Sequence, residues 1–149
     1  MKIAFIARKS LPIHARSLLE RPLGGTETGV IRLAEALQSR GHEVFVFTAH
    51  NSPGAPAEGK PTYLPYTHIQ NVAGIDALVT VQEWWPVMYG IKARKKYFWT
   101  GDGSEQHINF GMGDKRVVAQ LDGLLAVSNW QADTLCEASL FPRDKTFII

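Results

Sequence analysis

Two glycines placed directly before a helical pattern, in Gly24-Gly25-Thr26-Glu27, allow the backbone to pass close to a ligand. The first free amides of the helix that follows, with the positive end of its dipole, favour an anion at that spot. Arg8, Lys9, Arg16 and Arg21 stand in the same segment against Glu20 alone, which makes it locally basic and points to a phosphate or carboxylate ligand. Glu27 changes that chemistry. A carboxylate in the first helical turn already answers the dipole and repels a phosphate, so Glu27 suits sugar hydroxyls instead. The glycine pair reads equally well as a tight turn with Thr26 as the helix N-cap. Gly29, which costs up to about 1 kcal/mol relative to Ala, calls for close approach by either a ligand or a packed sheet.

Three further polar candidates follow strand-like runs. In Val81-Gln82-Glu83-Trp84-Trp85, Gln82 and Glu83 stand at a strand end, where a carboxylate orients a hydroxyl. Trp84 and Trp85 offer ring faces for sugar stacking, although paired tryptophans before a proline more often pack into a core or interface. The segment Thr100-Gly101-Asp102-Gly103-Ser104-Glu105-Gln106-His107 is dense in small, hydrogen-bonding residues and suits a substrate rim, with Gly111 and Gly113 as pivots. Asp102 is its candidate contact. No metal site is expected, because no partner stands at helical spacing from Asp102 and Glu105, and His14, His42, His50 and His68 are scattered. No cofactor is implied. The dinucleotide fingerprint G-x-G-x-x-G and the Walker lysine are both missing, which argues against a nucleotide-dependent oxidoreductase.

The elements that must position these residues alternate in type. Lys2 to Ala7, Val44 to Phe47, Ala77 to Val81, Tyr97 to Trp99 and Leu124 to Val127 are short apolar runs fit for buried strands. A short extended segment is expected around Thr62 to Tyr66, and Phe147 to Ile149 begins a last strand. Between the first two runs lies a long loop, Arg8 to Gly25, and then a helix from Thr26 with Val30, Leu33, Ala34 and Leu37 on one stripe and Gly41 as its stop. Asn51 to Pro61 reads as a turn-rich connection. Ser128 with Gln131 three residues on forms a capping box for a last helix carrying Ala132, Leu135 and Cys136 on one face. Cys136 reads as a buried apolar side chain. The pattern predicts an α/β, Rossmann-like fold: a mostly parallel sheet with helices on both faces. Ligands of such sheets bind beyond the carboxyl ends of the strands, where strand order reverses.

Bulk properties set the outer limits. The chain has 149 residues, 45% hydrophobic and 20% charged, the balance of one globular domain spanning 1–149. The net charge of +2, with no long basic run, argues against a nucleic-acid partner. No run approaches a transmembrane span and the amino terminus carries no signal peptide, so a cytoplasmic location is expected. One cysteine excludes an intrachain disulfide.

With these segments in place, the chain resembles the amino-terminal domain of the retaining glycosyltransferases of family 4, which fold as two facing Rossmann-like domains (the GT-B fold). The matching residues are Met1 to Ile6, Gly24 to Glu27, Ala34 to Val44, and Leu121 to Gln131. The resemblance implies a transferase of sugar from a nucleotide-sugar donor to a glycan, lipid or small-molecule acceptor, with retention. It implies that this domain holds the acceptor, that the donor is shared with a carboxy-terminal domain beginning where this chain ends, and that the isolated domain is inactive. Peripheral membrane contact is compatible with such acceptors. Carried onto this sequence, the substrate-binding residues are Gly24, Gly25, Thr26 and Glu27, with Arg8, Gln82, Glu83 and Asp102 from the residue reading. No catalytic residue is assigned: where many members have histidine at the end of the fifth strand, this chain has Thr100-Gly101-Asp102. A stand-alone sugar or sugar-phosphate binding module is the alternative.

Overall fold

The computed structural model of the chain describes residues 1–49 and 58–149. Its strands are β1 (Lys2–Ala7), β2 (Glu43–Thr48), β3 (Thr62–Pro65), β4 (Ile75–Val81), β5 (Ala93–Trp99), β6 (Gly123–Ala126) and β7 (Thr146–Ile148). All pair in parallel, in the order β3-β2-β1-β4-β5-β6-β7. The helices are α1 (Ser17–Glu20), α2 (Gly25–Ser39), α3 (Lys115–Val118) and α4 (Asn129–Ala138). This is the Rossmann-like α/β fold that the alternating pattern implies.

Strand periodicity divides the core into two layers. On one face Ile3, Phe5 and Ala7 of β1 join Val44 and Val46 of β2 against Val30, Ile31 and Ala34 of α2. On the other, Ala4, Ile6, Phe47 and Leu78 meet Ile69 of a 3-10 turn, Tyr66–Asn71. Farther along that face Phe98 and Leu124 pack on Val117 of α3 and Leu135 of α4. The chain moves one way from β1 to β2 and the other way from β6 to β7, so right-handed crossovers put α2 and α4 on opposite faces. Phe5, Phe47 and Phe98 are fully buried, each contributing roughly 1.5–3 kcal/mol of transfer free energy.

Local chemistry explains most element ends. Gly41 takes φ +82°, the left-handed conformation that stops α2. Ser128 Oγ accepts from the Gln131 amide at 3.1 Å and so caps α4. The return arm of the capping box is displaced by one residue, because Gln131 Oε1 accepts from the Val127 amide rather than that of Ser128. Thr26 is not the N-cap of α2: Gly24 occupies that position in extended backbone, without any side-chain cap. Cys136 is only half-buried, with Sγ 3.3 Å from Thr146 Oγ1, because its side of α4 overlies the polar start of β7. The turn-rich connection expected over Asn51 to Pro61 falls mostly on residues 50–57, outside the described residues.

The short helix α3 has no apolar stripe to announce it, but it has a cap. Asp114 Oδ1 accepts from the Arg116 amide at 2.8 Å, and its carboxylate also takes the Arg116 guanidinium. The side-chain bonds from Arg116, followed by that amide, lower the Asp114 pKa to about 2. A carboxylate lowered in the folded state contributes stability above its ordinary value near 4 and loses it as pH falls through its folded value. Protection of the Arg116 and Val117 amides, taken relative to their intrinsic exchange at each pH, should therefore fall as the pH is taken from about 4 towards 2. Flat protection over that window would show that the cap does not hold the turn.

Candidate functional site

In this strand order the direction of winding reverses between β1 and β4, which makes the carboxyl ends of these neighbours the switch point. Arg8 directly follows β1, and Gln82 and Glu83 directly follow β4, so three candidates meet there. Glu83 is 1% exposed. Its carboxylate accepts from Arg8 Nη2 at 3.0 Å and Nε at 3.2 Å, and also from Trp85 Nε1. Arg8 lies over the Trp85 ring at 4.7 Å and the Tyr66 ring at 5.3 Å. Its pKa is raised, chiefly by the hydrogen bond to Glu83. Glu83 is thus consumed within the protein, whereas the Arg8 side chain stays one-third exposed.

Gln82 has φ +56° and is the one non-glycine residue with positive φ among the described residues. Such backbone costs on the order of 1–3 kcal/mol and persists where the surroundings impose it. Here the Gln82 amide keeps a bond to Trp99 O at 2.8 Å while the side chain turns to Asp102, donating from Nε2 to Oδ2 at 2.7 Å. Thr100 Oγ1 donates to the same oxygen at 3.1 Å. Gln131 completes the clasp. Its Nε2 donates to Thr100 O at 3.1 Å and Asp102 O at 2.8 Å while Oε1 accepts from Val127, tying the ends of β5 and β6 together.

A crevice of about 360 Å³ opens beside this clasp, lined by Gly25, Thr26, Trp99, Gly101, Asp102 and Val127. One wall is the uncapped start of α2, whose first hydrogen bond within the helix is Thr28 N to Gly24 O, so the Gly25 and Thr26 amides have no partner inside the helix. The opposite wall carries Asp102, whose Oδ1 accepts no hydrogen bond among the described residues. Donors on one side and a carboxylate on the other suit a neutral polyhydroxylated ligand better than a phosphate, which Asp102 would repel. A side chain at Gly25 would meet nothing within 4 Å and would stand in this space.

The rest of the glycine turn has a different role. Glu27 is buried and folds back beneath Gly24, where a Cβ would lie 2.6 Å from its Oε2. Its Oε1 accepts from the Leu11 amide at 2.9 Å, so Glu27 ties the β1 loop to α2 instead of lining the crevice. Gly29 is explained by packing: a Cβ there would press on the Trp99 indole at 3.1 Å. Trp84 packs against the core, half-buried, and Trp85 stacks on Arg8, so neither lines the crevice. Asp102 and Glu105 are not joined by further ligands, and no three His, Cys, Asp or Glu side chains converge among the described residues.

Trp99 and Gln131 join the candidate site without being singled out for it by the sequence pattern, whereas Thr100 stands at the start of the expected rim segment. Trp99 looked like strand core, which it also is, and Gln131 looked like a helix cap. The one legible signal was a glutamine at the third position of a helix that begins directly after a strand. Gln131→Leu strands Thr100 O, Asp102 O and Val127 N, and should cost about 2 kcal/mol. Thermal melts check this; a loss below about 0.5 kcal/mol would mean that water replaces the clasp without penalty.

Residues 23–77 match the model of Glycosyltransferase Family 4, a stretch covering the glycine turn, α2, β2, β3 and the start of β4. Among solved structures, the chain is similar to the lipopolysaccharide outer core galactosyltransferase WaaB in its apo form, at 14% identity and TM-score 0.60. The match covers 99% of this chain and 45% of that one, so the chain spans somewhat less than half of that structure. No curated protein matches the chain in sequence. No helix among the described residues is long and apolar enough to cross a membrane. The sequence over residues 23–77 is thus similar to Glycosyltransferase Family 4, and the fold is Rossmann-like, similar to one half of a GT-B architecture.

Proposed function

We propose that this chain is the acceptor-side domain of a glycosyltransferase that moves a sugar from a nucleotide-sugar to a glycan, lipid or small-molecule acceptor with retention. A second domain supplies the donor site and the catalytic carboxylates, and the domain alone binds acceptor without turning over. The observation that carries this reading is the crevice between the uncapped start of α2 and the clasped Asp102. Free amides on one wall and a free carboxylate oxygen on the other match the paired donor and acceptor character of sugar hydroxyls.

The roles divide by position. The Gly25 and Thr26 amides donate to acceptor oxygens and Asp102 accepts from a hydroxyl. Gln82 orients Asp102, Gly24 and Glu27 shape the turn, and Arg8, braced by Glu83, borders the switch point. Saturation-transfer NMR on the isolated chain, with a panel of mono- and oligosaccharides, should show contact with at least one sugar. Incubation with radiolabelled UDP-, GDP- and ADP-sugars should show no transfer to that sugar. If no saccharide gave a signal, the acceptor-side reading would fail; transfer by the chain alone would instead remove the need for a second domain.

A further inference from the structure

The end of the sheet opposite the crevice carries a second concavity that the sugar site does not use. A groove of about 480 Å³ is lined by Gly74, Ile75, Gly90 to Arg94, and Lys96. It continues into a trench of about 300 Å³ lined largely by Ile69, Val72, Ala73 and Ile91. The groove exists because the β4-to-β5 crossover is made by a short 3-10 turn, Trp85–Met88, where an α-helix commonly covers a parallel sheet. Gly74 and Gly90, both at φ +70°, bend the chain sharply at its rim.

Three cations line this groove and no carboxylate does. Arg94 and Lys96 project from the same face of β5, two residues apart. Arg94 gives Nη1 to Asp76 at 3.3 Å, and Lys96 gives one hydrogen to Val87 O at 3.2 Å, so both keep further donors. Lys92 is exposed and has no ion-pair partner among the described residues. Asp76, the nearest acid, is itself held by the Lys2 amide at 2.8 Å and by Arg94.

We propose that this groove is a second ligand site, for a phosphorylated amphiphile. The phosphate lies on Lys92, Arg94 and Lys96, and the apolar part runs along the trench over Ile69, Val72 and Ile91. Lipid headgroups in a bilayer and soluble phosphate esters share this chemistry. Two measurements separate them: co-sedimentation of the chain with phosphatidylglycerol/phosphatidylcholine vesicles, and calorimetric titration with glycerol 3-phosphate. Binding to the mixed vesicles alone identifies a bilayer source, and binding to both probes a soluble ester; either result supports the site.

Each cation removed should weaken binding about fivefold, so Lys92→Ala/Arg94→Ala together should weaken it about 25-fold. Arg32→Ala, on α2 across the sheet, should leave it unchanged. Affinity for neither probe, equal binding to pure phosphatidylcholine vesicles, or a double variant that binds like the parent would overturn the proposal. Sugar contacts at the crevice are read by a separate measurement, so the two sites can fail independently.

Discussion

Arg8→Met is expected to cost the domain about 3 kcal/mol, the low end of the 3–5 kcal/mol range for stranding one member of a buried ion pair. The low end applies because Arg8 is one-third exposed and its own desolvation is incomplete, whereas its partner Glu83 is fully enclosed. After the substitution the Glu83 carboxylate retains only the Trp85 indole N–H. Arg8→Met/Glu83→Gln should recover at least half of the loss, because a neutral amide still accepts from Trp85 and leaves no charge buried. Chemical denaturation of the four members of this cycle measures the coupling. A double variant no more stable than Arg8→Met would place the loss in packing between Tyr66 and Trp85 rather than in charge.

Gly25→Val should have the opposite profile, with sugar binding lost and stability kept. Gly25 opens α2 without positive φ, so a β-branched residue there meets no backbone strain and no neighbour within 4 Å. The added methyl groups stand in the crevice and shield the first amides of the helix. Affinity for whichever saccharide the parent binds should fall at least about tenfold, or about 1.4 kcal/mol. The melting temperature should shift by no more than a few degrees, since surface substitutions of this kind stay within about 0.5 kcal/mol. Unchanged affinity would make the turn purely structural. Gly24→Ala is the informative neighbour: its Cβ displaces Glu27 rather than filling the crevice, so it should loosen the Leu11 loop and affect binding only indirectly.

The two profiles separate support from contact at the carboxyl ends of the strands. Arg8, Glu83 and Trp85 form a closed unit at the switch point. Gln82 bridges from that unit to Asp102, at the cost of a left-handed backbone. Asp102 is thereby held from three directions, by Gln82 and Thr100 at its carboxylate and by Gln131 at its carbonyl. A side chain so restrained presents its remaining oxygen with little rotamer entropy left to lose on binding.

The sequence by itself determined the architecture. Short β-branched and aromatic runs alternating with a helical stripe admit few arrangements other than a parallel sheet covered on both faces, and Gly41 and Ser128 marked helix ends by local chemistry that needs no distant partner. It also marked the segments that meet at the candidate site, because ligands of such sheets gather at the carboxyl ends of their strands.

Tertiary structure alone decided which side chain in each segment is free. Glu27 and Glu83 have the composition of ligand contacts, yet they are spent on the Leu11 amide and on Arg8, 16 and 75 residues away in the chain. Gly29 answers to Trp99, and Gln131 answers to Thr100 and Asp102, across strands that no periodicity links. A hydrogen-bonding group is available to a ligand only if nothing else in the fold satisfies it first. That competition is settled by neighbours brought together through long-range packing.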